Sequence, residues 1–183
     1  MGAIRKRTRR RRRAGRTRPD VIRLEQYKRR HRGVIRRFAQ ESFIFSADVT
    51  LDDPKGGYLK VHGQIQCLGG LNIDVQETLK VVSRGRGNVR VRRTHYGYNV
   101  SVSGRGNRFR YDSGHPDHSR HDHVHEFDKE GRQVSKHDIH DENEVPDLGD
   151  MIGKTRDFYR SPEFAQENGV LLDDDSDDGG SNL

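Results

Sequence analysis

Short runs of alternating apolar and polar residues fill the middle of the chain, from about residue 42 to residue 139. An alternation with a period of two is typical of β-strands that bury one face and expose the other. The runs predicted as strands are 43–51, 58–66, 71–82, 89–93, 98–103, 108–112, and the two halves of a hairpin, "HVHEFD" and "RQVSKHDI".

The connections between these runs are short and rich in glycine: "DDPKGG", "LGG", "RGRGN" and "SGRGN". Glycine and asparagine tolerate the positive φ angles of tight hairpin turns. Because such connections are too short for a helical crossover, successive strands are expected to run antiparallel. The pattern therefore predicts an antiparallel β-meander.

Helical periodicity occurs on either side of the strands. In residues 147–159, Asp147 can cap a helix whose apolar residues repeat along one face. Residues 18–42 also favour a helix, which Pro19 can open and Gly33 weakens. Together the patterns predict an α+β fold: an antiparallel β-meander sheet with a C-terminal amphipathic helix, preceded by a basic N-terminal helix.

Charge is spread unevenly along the 183 residues. Residues 1–40 contain 17 Lys and Arg against two acids, whereas residues 141–183 contain 13 acids against three bases. With 34% charged and 30% hydrophobic residues, the whole length is too polar to pack around one core. We therefore predict an arginine-rich arm with a basic helix (1–41), a folded α+β domain (42–160) and an acidic disordered tail (161–183).

Cys67 is the only cysteine, which excludes an intramolecular disulfide and is typical of a reducing compartment. A lone cysteine is more often a small buried apolar residue than a nucleophile. No apolar run approaches the ~20 residues that span a bilayer. The arginine-rich start lacks the apolar segment of a secretion signal. The sequence thus predicts a cytoplasmic protein with no membrane association.

An unbroken run of five arginines lies near the start of the chain. Arginine neutralises phosphates regardless of base sequence, so the run favours nucleic-acid binding. Three more arginines, Arg90, Arg92 and Arg93, follow the "RGRGN" turn, whose backbone amides can face a phosphate. The predicted nucleic-acid contacts are Arg9, Arg10, Arg11, Arg12, Arg13, Arg92 and Arg93. The alternatives are a solvated arm, two ordinary hairpin turns, and a native chain that starts later, at Val34.

Five of the ten histidines fall between His115 and His125. On a strand, His121, His123 and His125 point to the same side, where neutral imidazoles can ligate a divalent metal such as Zn or Ni. Alternate residues of a strand lie ~7 Å apart, so at most two of these three histidines would ligate one ion comfortably. The acidic residues that could complete the metal site are Asp117, Asp122 and Asp128.

Proton transfer is a second interpretation of the same histidines. Imidazole titrates at about pH 6.5, so a pair of histidines can act as base and acid in cleaving RNA through its 2′-hydroxyl, without a metal. Arg110 and Arg120 are candidates for stabilising the charge that develops on the phosphate. The third interpretation is a polar hairpin whose histidines form only local hydrogen bonds.

The stretch from "THYGYNVSVSGRGNRFRYDSGHPDHSRHDHVHEFDKEGRQV" to "EVPDLGDMIGKTRDFY" resembles the TumE family, toxins of bacterial and archaeal type II toxin–antitoxin pairs. The similarity covers about residues 42–160 and is strongest over 94–159, whereas the arginine arm and the acidic tail lie outside the family pattern. It implies a small α+β domain, a toxic activity and an antitoxin that blocks it. The matching positions are Tyr98, Arg110, Tyr111, Asp112, His121, His123 and His125.

We therefore expect a TumE-like toxin that acts on nucleic acid, with RNA favoured, and that is neutralised by a cognate antitoxin. The expected activity is of the ribonuclease type and requires no cofactor. The predicted catalytic residues are His121, His123, His125, Arg110 and Arg120. The alternatives are a non-enzymatic nucleic-acid-binding regulator that uses the basic arm, and a metal-binding protein with Zn or Ni in the 115–125 cluster.

Overall fold

The structure, a computed structural model, describes residues 21–53, 56–114 and 121–169. The predicted arginine arm, most of the predicted acidic tail and residues 115–120 lie outside the described residues. The elements in chain order are β1 (Ile22–Arg23), α1 (Leu24–Gln40), β2 (Ile44–Asp52), β3 (Tyr58–Cys67), β4 (Leu71–Gly85), β5 (Asn88–Val102), β6 (Gly106–Asp112), β7 (Asp122–Phe127), β8 (Gln133–Ile139), α2 (Leu148–Tyr159) and α3 (Pro162–Asn168).

Strands β2 to β8 form one sheet in which every strand pairs antiparallel with its neighbour in sequence. The short strand β1 adds to β5 outside this order. The predicted α+β class and antiparallel sheet are confirmed. Sequential pairing follows from the short glycine turns, which return each strand beside the one before.

Strand β5 unites two runs that the sequence pattern separates. Thr78 lies opposite His95 and Leu79 lies opposite Arg93, so Thr94 is an extra residue in a β-bulge. The Thr94 hydroxyl donates a hydrogen bond to the Thr78 carbonyl, at 3.2 Å. The bulge shifts the apolar–polar alternation of β5 by one residue. The alternation is therefore interrupted between the predicted runs 89–93 and 98–103, although the strand continues through both.

The helices cover one face of the sheet, here called the helix face. Alternate residues of β4 and β5 point to this face and are buried beneath α1 and α2. Examples are Ile73 and Val75 on β4 and Val100 on β5, each at most 1% exposed. The intervening residues point to the opposite side, here called the open face, which carries polar side chains.

Helix α2 begins where the sequence predicts. The Asp147 carboxylate accepts from the backbone of Asp150, and the Asp150 carboxylate accepts from the backbone of Asp147, forming a capping box. Its apolar stripe contributes Met151 and Ile152 to the core. The start and the buried face of this helix were both readable from the sequence.

Helix α3 lies in the segment that the sequence assigns to the disordered tail. Phe164 is 1% exposed and packs against the rings of Phe158 and Tyr159. Arg108, which is buried, pairs with Glu167. The folded part therefore extends to Asn168, because one aromatic residue and one ion pair anchor a segment whose composition is otherwise polar.

Helix α1 packs on the same core as the strands. Tyr27 and Phe38 are buried against the sheet, while the arginines on the other side of the helix are exposed. The predicted division between a basic helix and the central domain therefore falls inside one packed unit. Among the described residues, no helix is long and apolar enough to cross a membrane.

Candidate active site

The register between β6 and β7 brings charged and imidazole side chains together on the open face. Arg110 lies opposite His125, and Asp112 lies opposite His123. Residues directly opposite in an antiparallel pair project from the same side of the sheet. The meander thus brings four charged or imidazole side chains together from two strands. The residues that face each other across these strands are 11 and 15 positions apart in sequence.

The Asp112 carboxylate is the centre of this group. Its Oδ2 atom lies 3.8 Å from His125 Nε2 and 4.0 Å from His123 Nε2. Arg110 Nε contacts the same oxygen at 2.7 Å. The rings of His123 and His125 are in edge contact, with centroids 4.9 Å apart. We call Arg110, Asp112, His123 and His125 the Asp-His cluster.

The remaining ring nitrogens are held by acceptors. His123 Nδ1 lies 3.0 Å from the His121 carbonyl oxygen, and His125 Nδ1 lies 2.8 Å from Gln133 Oε1. With each Nδ1–H donating to its acceptor, a neutral imidazole presents the Nε2 lone pair to the centre of the cluster. Both rings are therefore oriented to accept a proton or to ligate a cation.

Asp112, His123 and His125 could hold a metal ion, because their ligand atoms lie within 4.8 Å of one another. Two imidazoles and one carboxylate are a common donor set for Zn²⁺ and other divalent transition metals. Two histidines of the predicted 115–125 cluster contribute, which is the number that strand spacing allowed. The third donor, Asp112, comes from β6 and was not among the predicted metal ligands.

The Asp-His cluster forms one wall of a cleft of about 800 Å³ on the open face. The opposite wall carries His62, whose Nε2 lies 2.8 Å from Asp52 Oδ2. One row of the sheet crosses the cleft from His62 through Gln76, Gly97 and Asp112 to His123. The other cationic or imidazole side chains that line it are Lys60, His95 and Lys136.

Gly97 forms the floor of the cleft beside the cluster. A Cβ atom placed on Gly97 would lie 3.2 Å from Asp112 Oδ1, which is tighter than an ordinary contact. Glycine at this position therefore leaves room for the carboxylate to lie across strand β5. Local sequence gave no signal for this role of Gly97, because the role depends on the register between β5 and β6.

The other predicted catalytic residues have different positions. His121 lies before β7 and is exposed, with its ring 5.3 Å from that of His140. It contributes its carbonyl to His123 rather than its ring to the cluster. Arg120 lies outside the described residues, as do His115, His118 and Asp117.

The nearby carboxylates proposed as metal ligands serve the backbone. Asp122 accepts a hydrogen bond from the Gly114 amide at 2.8 Å. Asp128 accepts from the amides of Glu130 and Arg132 in the turn between β7 and β8. These bonds, that of the Arg132 amide first, lower the pKa of Asp128. Asp122 thus holds the chain at Gly114, and Asp128 holds the turn after β7.

The predicted nucleic-acid contacts divide between the two faces. Arg92 is exposed on the open face, opposite Lys80. Arg93 points to the helix face, where it donates to the Tyr98 hydroxyl at 3.0 Å and lies 3.8 Å from Glu77. The described position of Arg93 is thus structural, and Arg9 to Arg13 lie outside the described residues.

A buried polar network lies on the helix face below the cleft. Glu77 is 3% exposed and accepts hydrogen bonds from the hydroxyls of Tyr27 and Tyr98. Burial, followed by the charge of Glu77, raises the pKa of both tyrosines above its usual range. The protonated hydroxyls therefore stay available as donors that tie α1 to β4 and β5.

Cys67 has the properties of a core residue. It is 2% exposed, and burial raises the pKa of its thiol to about 12. Since the thiolate is the nucleophilic form, this cysteine is protonated and shielded at neutral pH.

Comparisons of the chain with protein-family models, curated proteins and solved structures gave no match. The resemblance to the TumE family therefore stays a prediction from the sequence. The chemistry of the site has to be inferred from its own geometry.

Proposed function

We propose that the protein is the toxin of a type II toxin–antitoxin pair and that it cleaves RNA in the cleft on the open face. The observation that supports this most strongly is the Asp-His cluster. Two imidazoles with fixed orientation face one carboxylate beside an arginine, in a cleft wide enough for a nucleotide. The order of motifs that resembles the TumE family supports the toxin assignment.

The proposed reaction needs a base, an acid and a cation. One histidine of the pair takes the proton of a ribose 2′-hydroxyl, and O2′ then forms a bond to the adjacent phosphorus. The bond from phosphorus to O5′ breaks, and the other imidazole, as imidazolium, supplies the proton to O5′. The products are a 2′,3′-cyclic phosphate and a 5′-hydroxyl end.

Arg110 supplies the cation closest to the histidines. It is 53% exposed and pairs with Asp112 at 2.7 Å, so its guanidinium lies at the edge of the cleft. A phosphate bound there can share this guanidinium with the carboxylate and stabilise the charge of the transition state. Asp112 is then a positioning residue for both imidazoles and for Arg110.

The proposal includes a location and a partner. A toxin that cleaves cellular RNA acts in the cytoplasm, and its cognate antitoxin blocks the activity. The reaction as written uses protein groups alone and no cofactor. The predicted arm, including Arg9 to Arg13, would add sequence-independent attraction for RNA.

Expression in a host cell tests the toxin assignment. We expect the unaltered chain to arrest growth, co-expression of its antitoxin to restore growth, and His123→Ala or His125→Ala to abolish the arrest. His137→Ala is the matched control, because His137 is exposed on β8 and lies opposite Val124 rather than in the cluster. If both cluster variants arrest growth at equal protein level, the proposed catalytic site is wrong.

A divalent metal centre is the second candidate function, favoured by the three donors within 4.8 Å and by the anchored Nδ1 atoms. Here Asp112, His123 and His125 would bind Zn or Ni. Metal analysis of untagged protein purified without a nickel column tests it. Stoichiometric metal that disappears in Asp112→Asn but persists in Asp52→Asn would favour this function, and absence of metal would exclude it under those conditions.

A further inference from the structure

The hairpin of β4 and β5 extends beyond its neighbours in the sheet. Both strands have 15 residues, but β3 pairs with β4 only as far as Lys80, and β6 pairs with β5 only from Gly97. Among the residues that the structure describes, the two residues of β1 are the ones that pair with the end of the hairpin. A long, exposed surface therefore leads away from the cleft.

This extension places like charges directly opposite each other. Lys80 lies opposite Arg92, and Arg90 lies opposite Arg23 of β1. All four side chains are exposed. Like charges in directly opposite positions of two strands are destabilising. The register thus concentrates positive charge at some expense in stability.

These cations lie on the same face as the cleft. Leu79 and Val91 point to the helix face and are at most 1% exposed. Their sequence neighbours Lys80, Arg90 and Arg92 therefore point to the open face, as does Gly97 in the cleft. The path along β5 from Gly97 to Arg90 is about 23 Å long, at roughly 3.3 Å per residue.

Two carboxylates at the end of β2 contact other cations or imidazoles. Asp53 pairs with Arg84 at 3.3 Å, and Asp52 pairs with His62 at 2.8 Å. The open face of the extension carries four cationic side chains, those of Arg23, Lys80, Arg90 and Arg92. Lys60 on β3 adds a further cation among the residues that line the cleft.

We infer that Arg23, Lys80, Arg90 and Arg92, here called the RNA track, bind the phosphates of a single RNA strand that enters the cleft. The inference rests on the proposed function, because the RNA track would bind the same RNA strand that is cleaved in the cleft. An RNA strand fits better than an acidic segment of an antitoxin, since the track is continuous with the cleft that holds the histidine pair. A track of this length contacts about four nucleotides or more.

Salt-dependent binding of non-cleavable RNA tests the track. The probes are 2′-O-methyl oligonucleotides, one a dinucleotide and one of about 12 nucleotides. The variant combines Lys80→Thr, Arg90→Thr and Arg92→Thr, since threonine favours strands and removes the like-charge pairs. We expect binding of the longer probe to weaken. The slope of log affinity against log salt should become shallower by about 2, because each of the three lost phosphate contacts contributes ~0.7 to the slope. Dinucleotide binding and thermal stability should not fall.

A matched variant removes the same charge from the other side of the sheet. Arg29→Gln, Arg30→Gln and Arg36→Gln change exposed residues of α1 and should leave the slope unchanged. The inference is overturned if the track variant melts normally and keeps the original salt slope. It is equally overturned if the slope becomes shallower in the α1 variant alone. It is also overturned if the track variant loses affinity for the antitoxin but not for RNA.

These outcomes separate the track from the proposed reaction. Absence of RNA cleavage by the unaltered chain would refute the reaction, while the slope measured with non-cleavable probes would still decide the track. Cleavage that depends on His123 and His125, together with an unchanged slope in the track variant, would support the reaction and refute the track.

Discussion

Gly97 shows how one residue determines the shape of the site. It lies opposite Asp112 and between the two walls of the cleft, where any side chain would meet the carboxylate. The Asp112 carboxylate in turn pairs with Arg110 at 2.7 Å and faces the Nε2 atoms of His123 and His125 at 4.0 and 3.8 Å. A change at Gly97 therefore acts on the proposed chemistry without removing any reacting group.

Replacing Gly97 tests this relation. In Gly97→Ala the new Cβ lies 3.2 Å from Asp112 Oδ1, so the carboxylate moves by a few tenths of an ångström. We expect RNA cleavage to fall about tenfold, and Gly97→Val to reduce it further, because small displacements of positioned groups are costly. Measured kcat/KM and circular dichroism check it. Gly153→Ala, with open space around it, should retain full activity; equal activity in both alanine variants would contradict the proposed role.

At the same scale, the sequence predicted part of the cluster. His123, His125 and Arg110 were predicted from the alternating histidines and from the family motif, while the same histidines also fitted a polar hairpin with local hydrogen bonds. Asp112 was named only for its place in the family motif. Its role depends on the pairing of β6 with β7, and the register between two strands that a segment of this length separates cannot be read from local pattern.

Among the elements, α1 is held to the sheet by the polar network around Glu77. His31 contributes to this contact, with its ring 4.3 Å from that of Tyr27 and its Nε2 3.7 Å from Glu77. Burial, more than the opposing effect of Glu77, lowers the pKa of His31. The folded protein therefore favours the neutral imidazole, whereas the unfolded chain binds the proton at its ordinary pKa of 6.5.

Acid should accordingly weaken the folded state through His31. Stability is present in full above pH 6.5 and declines as the pH falls from there towards the lower pKa of the folded state. We expect a smaller decline in melting temperature in His31→Gln, measured from about pH 7.5 to about pH 5.5. His137→Gln, at an exposed site, should retain the original decline. Identical pH dependence in all three proteins would rule out this contribution.

Helix α3 gives a prediction about the boundary of the fold. Phe164 is 1% exposed between Phe158 and Tyr159, so Phe164→Ala removes a large buried side chain. We expect a loss of about 3–5 kcal/mol in the free energy of unfolding, measured with urea. Glu163→Ala, on the exposed side of the helix, should have little effect. A negligible change in Phe164→Ala would mean that the helix does not pack in solution.

Most elements were predictable because their signals are local. The strands, their turns and helix α2 follow from alternation, glycine and a cap, all within a few residues. The continuity of β5 and the existence of α3 were missed for a different reason. The first depends on a bulge formed against β4, and the second on contacts with α2 and Arg108.

In the whole molecule, the sheet separates the packed core from the surface proposed to bind RNA. The helix face holds the core and the Glu77 network, while the open face carries the cleft and the RNA track. The positive charge relevant to the cleft therefore comes from the strands, and not only from the basic N-terminal segment that dominates the composition. Net charge alone could not reveal this division, since the central domain is close to neutral in sequence.

The most direct test of the account is cleavage of an oligonucleotide of about 12 residues that contains one ribose among deoxyriboses. We predict a single cut at the ribose, a 2′,3′-cyclic phosphate end, and a rate at least about 100-fold lower in His123→Ala and His125→Ala, with His137→Ala unchanged. Equal cleavage of the all-deoxyribose strand, or unchanged rates in both cluster variants, would contradict the proposal that this cleft cleaves RNA through its 2′-hydroxyl.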